Sequence, residues 1–304
     1  MAEQISRVGI VGLGAMGMGI GRSLLRGGLE VTACDIRPEA VQQLVDTGAQ
    51  AAASPALLAA EVDALVIVVV NAQQTEAVLF GEQGAAAKLK PGSVVIACAT
   101  VAPEFAEALG ARLTAMGLRF IDAPISGGAA RAASGEMSVM AAGSPEDFAR
   151  CERLFNAICS KLYRLGEQPG QGSKVKMINQ LLAGVHIAAA AEAMALGLRA
   201  GCDPDALYEV ISNSAGSSWM FQNRVPHILA GDYTPLSAVN MFVKDLGIVL
   251  DYAKKSVFPL PLSATAHQMF MQASAAGHGG EDDAAVIKLF PGITLPVARG
   301  KQPS

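Results

Sequence analysis

At 304 residues the chain is long enough for two domains of ordinary size, and a formal net charge of −4 leaves no basic surplus with which to hold nucleic acid. It is 51% apolar and only 16% charged, a balance that suits a large helical core and an interface between copies, so a homo-oligomer is expected. The five cysteines form no Cys-x-x-Cys pair, the four histidines show no metal-ligand spacing and no leader pattern is visible, which argues against a disulfide scaffold, a metal site and secretion, and for the cytoplasm.

Residues 7–12 read as a short buried strand that runs directly into Gly12-Leu13-Gly14-Ala15-Met16-Gly17, a complete Gly-x-Gly-x-x-Gly. A helix pattern follows through Leu24 and Leu25, and a second strand, 30–34, ends at Asp35, 18 residues after Gly17. Gly12 permits the tight turn. Gly14 removes the Cβ that would hold a pyrophosphate away from the backbone, and Gly17 lets the helix pack close to its strand. The helix start presents unpaired N–H groups and partial positive charge to phosphates. Asp35 is placed to accept both hydroxyls of an adenosine ribose. Strand, glycines, helix, strand and acid in this order are far more specific than the glycines alone, and they predict dinucleotide binding. A carboxylate at 35 would repel a 2′-phosphate, so NAD is expected rather than NADP; Arg37 is suited either to a 2′-phosphate or to stacking on adenine.

The alternation continues with helices at 38–47 and 55–61, then an apolar, β-branched run at 63–70 that reads as a parallel strand covered on both faces. A strand at 94–98, a helix at 103–116 with Pro103 in its first turn, strands at 119–122 and 137–142, a helix at 145–158 and a strand at 162–165 complete it. The pattern predicts a Rossmann-type, doubly wound α/β sheet. From Gly172 no strand pattern remains. A helix near 172–200 would span roughly 43 Å at about 1.5 Å per residue, enough to link two domains. Helices near 204–213, 218–230, 237–255, 261–276 and 281–289 follow, and the residues from about Val297 are expected to be loose. The expected organisation is an NAD-binding Rossmann domain over 1–166 and an all-α substrate and oligomerisation domain over 167–304. The stretch 181–198 has the length of a membrane helix. It carries His186 and Glu192 and is largely alanine, so a buried helix is expected and no membrane contact.

Ligands in open α/β sheets bind beyond the C-terminal ends of the strands. Val70-Asn71, Thr100 and the loop through Ser126, Gly127 and Gly128 fall at such ends. Serine before two glycines suits either a backbone nest for an anion or an ordinary tight loop. At the start of the long helix Lys176 and Asn179 share a face at i and i+3, while Lys174, about 200° round the helix from Lys176, points elsewhere. Lys244-Asp245 reads either as a surface ion pair or as part of a site, and Trp219, the single tryptophan, suits a pocket wall or the core equally.

Together, Gly12-Leu-Gly-Ala-Met-Gly17, Asp122-Ala-Pro-Ile-Ser-Gly-Gly128, Gly170-x-Gly-x-x-x-Lys176-x-x-Asn179 and Lys244-Asp245-Leu246 resemble, over about residues 7–295, the β-hydroxyacid dehydrogenases related to 3-hydroxyisobutyrate dehydrogenase. The resemblance implies a Rossmann domain and a helical domain built on a long interdomain helix. It implies that Lys176 is catalytic and that Ser126, Gly127, Gly128 and Asn179 hold a small hydroxyacid substrate. It adds Thr100 and Lys244 to a cofactor side made of Gly12, Leu13, Gly14, Ala15, Met16, Gly17, Asp35, Arg37, Val70 and Asn71. Runs in the C-terminal half, among them Gly231-Asp-Tyr-Thr-Pro235 and Gly280-Glu-Asp-Asp283, are similar to the L-threonate dehydrogenase branch, which oxidises the 2-hydroxyl of a four-carbon sugar acid with NAD. Three positions depart from the pattern: Gln180 stands where much of the family has a second Asn, Asn179 where that branch often has His, and Ala99 where a Ser often precedes Thr100.

The expected chemistry is removal of the hydroxyl proton by Lys176 as a hydride leaves for the nicotinamide. An ordinary lysine pKa of about 10.4 is too high for a base at neutral pH. Burial, the positively charged ring and Lys244 would lower it. Reduction of a semialdehyde, such as tartronate or succinic semialdehyde, is the alternative among enzymes. A non-catalytic nucleotide-sensing protein is the alternative outside them, and an intact Lys176 and Asn179 argue against it.

Overall fold

A computed structural model of the protein describes residues 4–297; the expected loose end beyond Val297 lies outside the described residues. The chain divides into two compact units between Met177 and Ile178.

The first unit opens with β1 (Arg7–Val11), α1 (Gly17–Arg26), β2 (Glu30–Cys34), α2 (Pro38–Val45), β3 (Gln50–Ala51), α3 (Pro55–Ala59) and β4 (Ala64–Ile67). It continues with α4 (Ala72–Phe80), β5 (Val94–Ala97), α5 (Pro103–Ala115) and β6 (Arg119–Asp122). The six strands form one parallel sheet in the order β3-β2-β1-β4-β5-β6. All four residues of β4 and of β5 are buried, as expected for apolar strands with helices on both faces. The order reverses between β1 and β4, so the crevice for a ligand lies past Val11 and Ile67. Only Thr75 and Leu79 are buried on α4. No apolar stripe announces that helix in the sequence; its local signal is the N-cap Asn71.

The sequence pattern also suggests that the later strands extend this sheet. Instead β7 (Ile125–Ser126), β8 (Met137–Ala141) and β9 (Cys159–Arg164) form a second, three-stranded sheet, with α6 (Gly128–Ser134), α7 (Pro145–Arg150) and α8 (Glu152–Ile158) between them. Pro124 follows β6 and has no N–H to continue a ladder, so the chain turns away there and β7 pairs antiparallel with β8. The helix expected at 145–158 bends at Cys151 (φ −91°, ψ 8°). Phe148 and Phe155, either side of the bend, are both buried with ring centroids 6.0 Å apart.

The long helix α9 (Gln171–Arg199) has 29 residues, and the division between units falls inside it. It is long and apolar enough to cross a membrane by length and composition. In the second unit Ile187, Ala188, Ala191, Met194 and Ala195 are buried, while Ile178, Leu182 and Leu196 are exposed. Gly184 admits Leu246, which would lie 2.9 Å from a Cβ there. The unit continues with α10 (Pro204–Ser212), α11 (Trp219–Ala230), α12 (Val239–Lys255) and α13 (Pro261–Ala273), then a π turn at Ser274–His278 and a 3-10 segment at Asp283–Leu289. Phe242 and Phe270 stack at 5.1 Å in its core.

Two adjacent acids, both fully buried, hold this unit's end in place. Asp283 takes the Arg224 guanidinium through both carboxylate oxygens, at 2.5 and 3.1 Å. Asp282 meets His227 Nδ1 at 3.1 Å and accepts the N–H groups of Leu236 and Ala284, each at 3.1 Å. Burial pushes the Asp283 carboxyl up to about 6, against the pull of Arg224. Burial also acts on Asp282, but His227, Ala284 and Arg224 outweigh it and hold that carboxyl below the usual range.

Candidate active site

The turn between β1 and α1 can be closed only by glycine at two positions. Gly12 has a φ of +95°, and a Cβ there would lie 2.4 Å from the Val68 carbonyl; one on Gly17 would lie 1.9 Å from the Gly12 carbonyl. Gly14 differs, because a Cβ there would meet no protein atom within 4 Å. The position is open, so a pyrophosphate at the start of α1 would meet no side chain there.

Asp35 braces this turn. Its Oδ2 accepts the Leu13 N–H at 2.5 Å, and its Oδ1 accepts the Arg37 N–H at 2.9 Å and Nε–H at 3.2 Å. Arg37 also donates from Nη2 to the Leu13 carbonyl at 2.9 Å. Burial pushes the Asp35 carboxyl up, but these hydrogen bonds and the guanidinium hold it below the usual carboxylate range. Past β4, the Asn71 side chain accepts the Gln74 N–H at 2.8 Å, and Gln74 Oε1 accepts the Val70 N–H at 2.8 Å. Asn71 is thereby engaged as the cap of α4. Thr100 is half-buried behind β5, after the buried Cys98 and Ala99.

Ser126 lies in β7, opposite Ser138. Gly127 and Gly128 both adopt left-handed φ values, +131° and +74°. A Cβ on Gly127 would strike the Arg131 side chain at 2.9 Å, whereas one on Gly128 would meet nothing within 4 Å.

Lys176 is buried, 6% exposed, in the second turn of α9. Lys174 turns outward to an ion pair with Glu107 at 2.9 Å, half-exposed on both sides. The start of this helix rests on a residue that sequence reasoning missed. Asp122, at the end of β6 and 1% exposed, accepts the Gly170 N–H at 3.0 Å and the Ser173 N–H at 2.8 Å on Oδ2, and the Ser173 hydroxyl at 2.7 Å on Oδ1. Burial pushes the Asp122 carboxyl up, against these bonds. In the sequence Asp122 is only the first letter of a loop motif, 51 positions before Ser173. The one local hint is that Gly170, directly before the helix, has no side chain with which to cap it.

The second unit contains a hydrogen-bonded chain of its own. Asn179 Nδ2 donates to Gln180 Oε1 at 3.0 Å, and Gln180 Nε2 donates to Asp245 Oδ2 at 2.6 Å. The Lys244 ammonium lies 2.6 Å from Asp245 Oδ1. Asp245 is 3% exposed, so Lys244-Asp245 is not the surface pair that the sequence also allows. Gln180, where much of the related family has a second Asn, reaches the acid of that pair. Trp219, by contrast, is 52% exposed at the first position of α11, which removes it from the core. Among the described residues no three His, Cys, Asp or Glu side chains gather to hold a metal.

Comparison with known proteins finds likeness over almost the whole chain. Residues 7–166 match the model of the NAD-binding domain of 6-phosphogluconate dehydrogenase. Residues 170–290 match that of the NAD-binding domain of NADP-dependent 3-hydroxyisobutyrate dehydrogenase. The chain is 68% identical to the L-threonate dehydrogenase of Cupriavidus necator, covering 95% of this chain and 97% of that one. It is 54% identical to the L-threonate dehydrogenase of Escherichia coli K12, over 96% and 97%. A crystal structure of 3-hydroxyisobutyrate dehydrogenase from Salmonella typhimurium superposes with a TM-score of 0.90 at 55% identity, covering 93% of this chain and 99% of that one.

Proposed function

Because the chain belongs to the β-hydroxyacid dehydrogenases related to 3-hydroxyisobutyrate dehydrogenase, we propose that it oxidises L-threonate at C2, with NAD, to 2-dehydro-L-erythronate. The observation that carries the substrate is the 68% identity, over 95% of the chain, to an L-threonate dehydrogenase. The chemistry rests on Lys176, a lysine buried at 6% exposure near the start of α9.

The substrate carboxylate is assigned to Ser126, Gly127 and Gly128, where left-handed glycines bring backbone N–H groups forward without side chains. Asn179 bonds the substrate oxygens. Lys176, uncharged, accepts the hydroxyl proton on Nζ as the C2–O bond becomes a carbonyl. In the reverse direction it returns that proton. NAD, when bound, supplies the ring that takes the hydride from C2. The dinucleotide is assigned to the turn from Gly12 to Gly17, with Asp35, Arg37, Val70, Asn71, Thr100 and Lys244 around it. NAD is favoured over NADP because Arg37 is paired with Asp35. A 2′-phosphate would have to break that pair and lie against an anionic carboxylate.

The test is a panel of hydroxyacids with NAD and NADP in parallel. L-threonate with NAD is expected to give the highest kcat/KM. The Salmonella structure makes 3-hydroxyisobutyrate the competitor to include. That compound lacks the extra hydroxyls, and a site built to bond them rejects analogues without them. Faster turnover of 3-hydroxyisobutyrate than of L-threonate would overturn the substrate. A preference for NADP would overturn the cofactor.

Asp35→Ser is expected to lower kcat/KM with NAD by about 10-fold, the order of one lost hydrogen bond to a charged group. It should raise relative use of NADP, since Arg37 is released for a phosphate. Unchanged kinetics with NAD would remove Asp35 from the ribose site.

A further inference from the structure

The start of α9 presents a difficulty that the sequence does not solve locally. The first N–H groups of a helix have no partner within it, and a Ser, Thr, Asp or Asn at the N-cap usually supplies one. Here the N-cap position is Gly170, which has nothing to supply. The bonds come instead from Asp122, on β6: its Oδ2 takes the N–H of the N-cap and of the third helical residue, and its Oδ1 takes the Ser173 hydroxyl. Asp122 is itself held at both backbone groups, its N–H donating to the Ala142 carbonyl at 3.0 Å and its carbonyl accepting the Ala142 N–H at 2.8 Å.

The glycines make this mount possible. Gly170 has a φ of +92°. A Cβ on Gly172 would lie 2.4 Å from the Met140 carbonyl and 2.7 Å from the Asp122 carbonyl. Any side chain at 172 would push the helix off the two strand ends. The backbone therefore approaches β6 and β8 closely, and the carboxyl group lies where the helix dipole favours an acid. Lys176 follows Ser173 by three residues, one turn along the same helix.

We propose that Asp122 is a positioning residue for Lys176: by capping α9 from another strand it sets where the first turns begin and so where the Lys176 Nζ stands. This rests on Lys176 being the proton acceptor assigned above. The carboxyl oxygens bond Gly170 and Ser173 at the start of the helix, and through that helix the effect reaches Lys176.

Asp122→Asn places an NH2 donor or a single carbonyl where two N–H groups and a hydroxyl need acceptors. It is expected to lower kcat by about 10–100-fold, the scale of a small misplacement of a catalytic group. The Kd for NADH should stay within about twofold. Amide hydrogen exchange should speed up over residues 170–177 and not in α1. Ser173→Ala removes one of the three bonds and should lower kcat by about 3–10-fold with NADH binding unchanged; it carries the test if Asp122→Asn does not fold. The deciding comparison is made in a Lys176→Ala background. A residue that acts only through Lys176 has no further effect on the residual rate there, so adding Asp122→Asn should change it less than about twofold. A further large loss in that background would overturn the proposal, as would wild-type kcat in both single variants. Full turnover by Lys176→Ala alone would instead overturn the role of Lys176.

Discussion

Lys176→Ala is expected to lose about 10²–10⁴-fold in kcat, the usual contribution of a general acid or base. NADH should still bind with nearly unchanged affinity, because the turn from Gly12 to Gly17 and Asp35 remain whole. The size of the effect follows from the position. Lys176 is 6% exposed, whereas Lys174, two residues earlier, is half-exposed and paired with Glu107. A lysine is rarely kept so far from water unless its side-chain nitrogen is used. The control is therefore Lys174→Ala, which removes a half-exposed ion pair with Glu107 and should leave kcat within about twofold, as such pairs contribute little. Steady-state kinetics with L-threonate and NADH fluorescence titration read both outcomes. Near wild-type kcat in a folded Lys176→Ala protein would take Lys176 out of the mechanism.

Arg224→Met should destabilise the protein by about 3–5 kcal/mol, because it leaves the buried Asp283 without its bidentate partner. The side chain of Arg224 is 11% exposed and that of Asp283 fully buried, so little solvent screens the loss. The penalty should depend on pH in a definite direction. The folded pKa of Asp283 is already raised to about 6, above its ordinary 3.8. A carboxyl with a raised folded pKa favours the fold most when protonated and opposes it as pH rises through that value. Without Arg224 the opposition grows, so the variant should lie closest to wild type near pH 5 and fall further behind toward pH 8. His227 acts in the same sense. Its bond to Asp282 raises its pKa from 6.5, and the stability that this bond contributes is present below that value and is lost as pH rises through the raised one. Asp282 acts oppositely, since its lowered pKa withdraws stability only in acid. Urea unfolding at several pH values measures all of this, and a cost independent of pH would show that Asp283 is not the group left unpaired.

How much of this was legible in the chain depends on how local the cause was. The cradle is local: the glycines, the helix start and the acid lie within residues 7–35, and each is required by the backbone or by charge at its own position. The β4 and β5 runs are equally plain, because strands buried on both faces need continuous apolar sequence. The family was legible as well, since its four motifs occur in order along the chain, and the matches over 7–166 and 170–290 place the chain in it. Less local features were not legible. The helix α4 buries two residues and so has no stripe to read. The second sheet exists because Pro124 ends one ladder and Ile125–Ser126 finds a partner in β8, a pairing that no periodicity reports.

The sequence by itself determined the fold class, the dinucleotide turn and the family, because these depend on residue types at short, fixed spacings. Only the tertiary structure decided which side chains serve one another across the chain. Asp122 caps a helix 51 positions away. Gln180 reaches Asp245, and so comes to share an acid with Lys244, across 65 positions. Arg224 and Asp283 meet across 59. In each case a buried polar group has to find its partner or lose the free energy of its hydration. The packing of elements, rather than any local pattern, decides which partner is within reach.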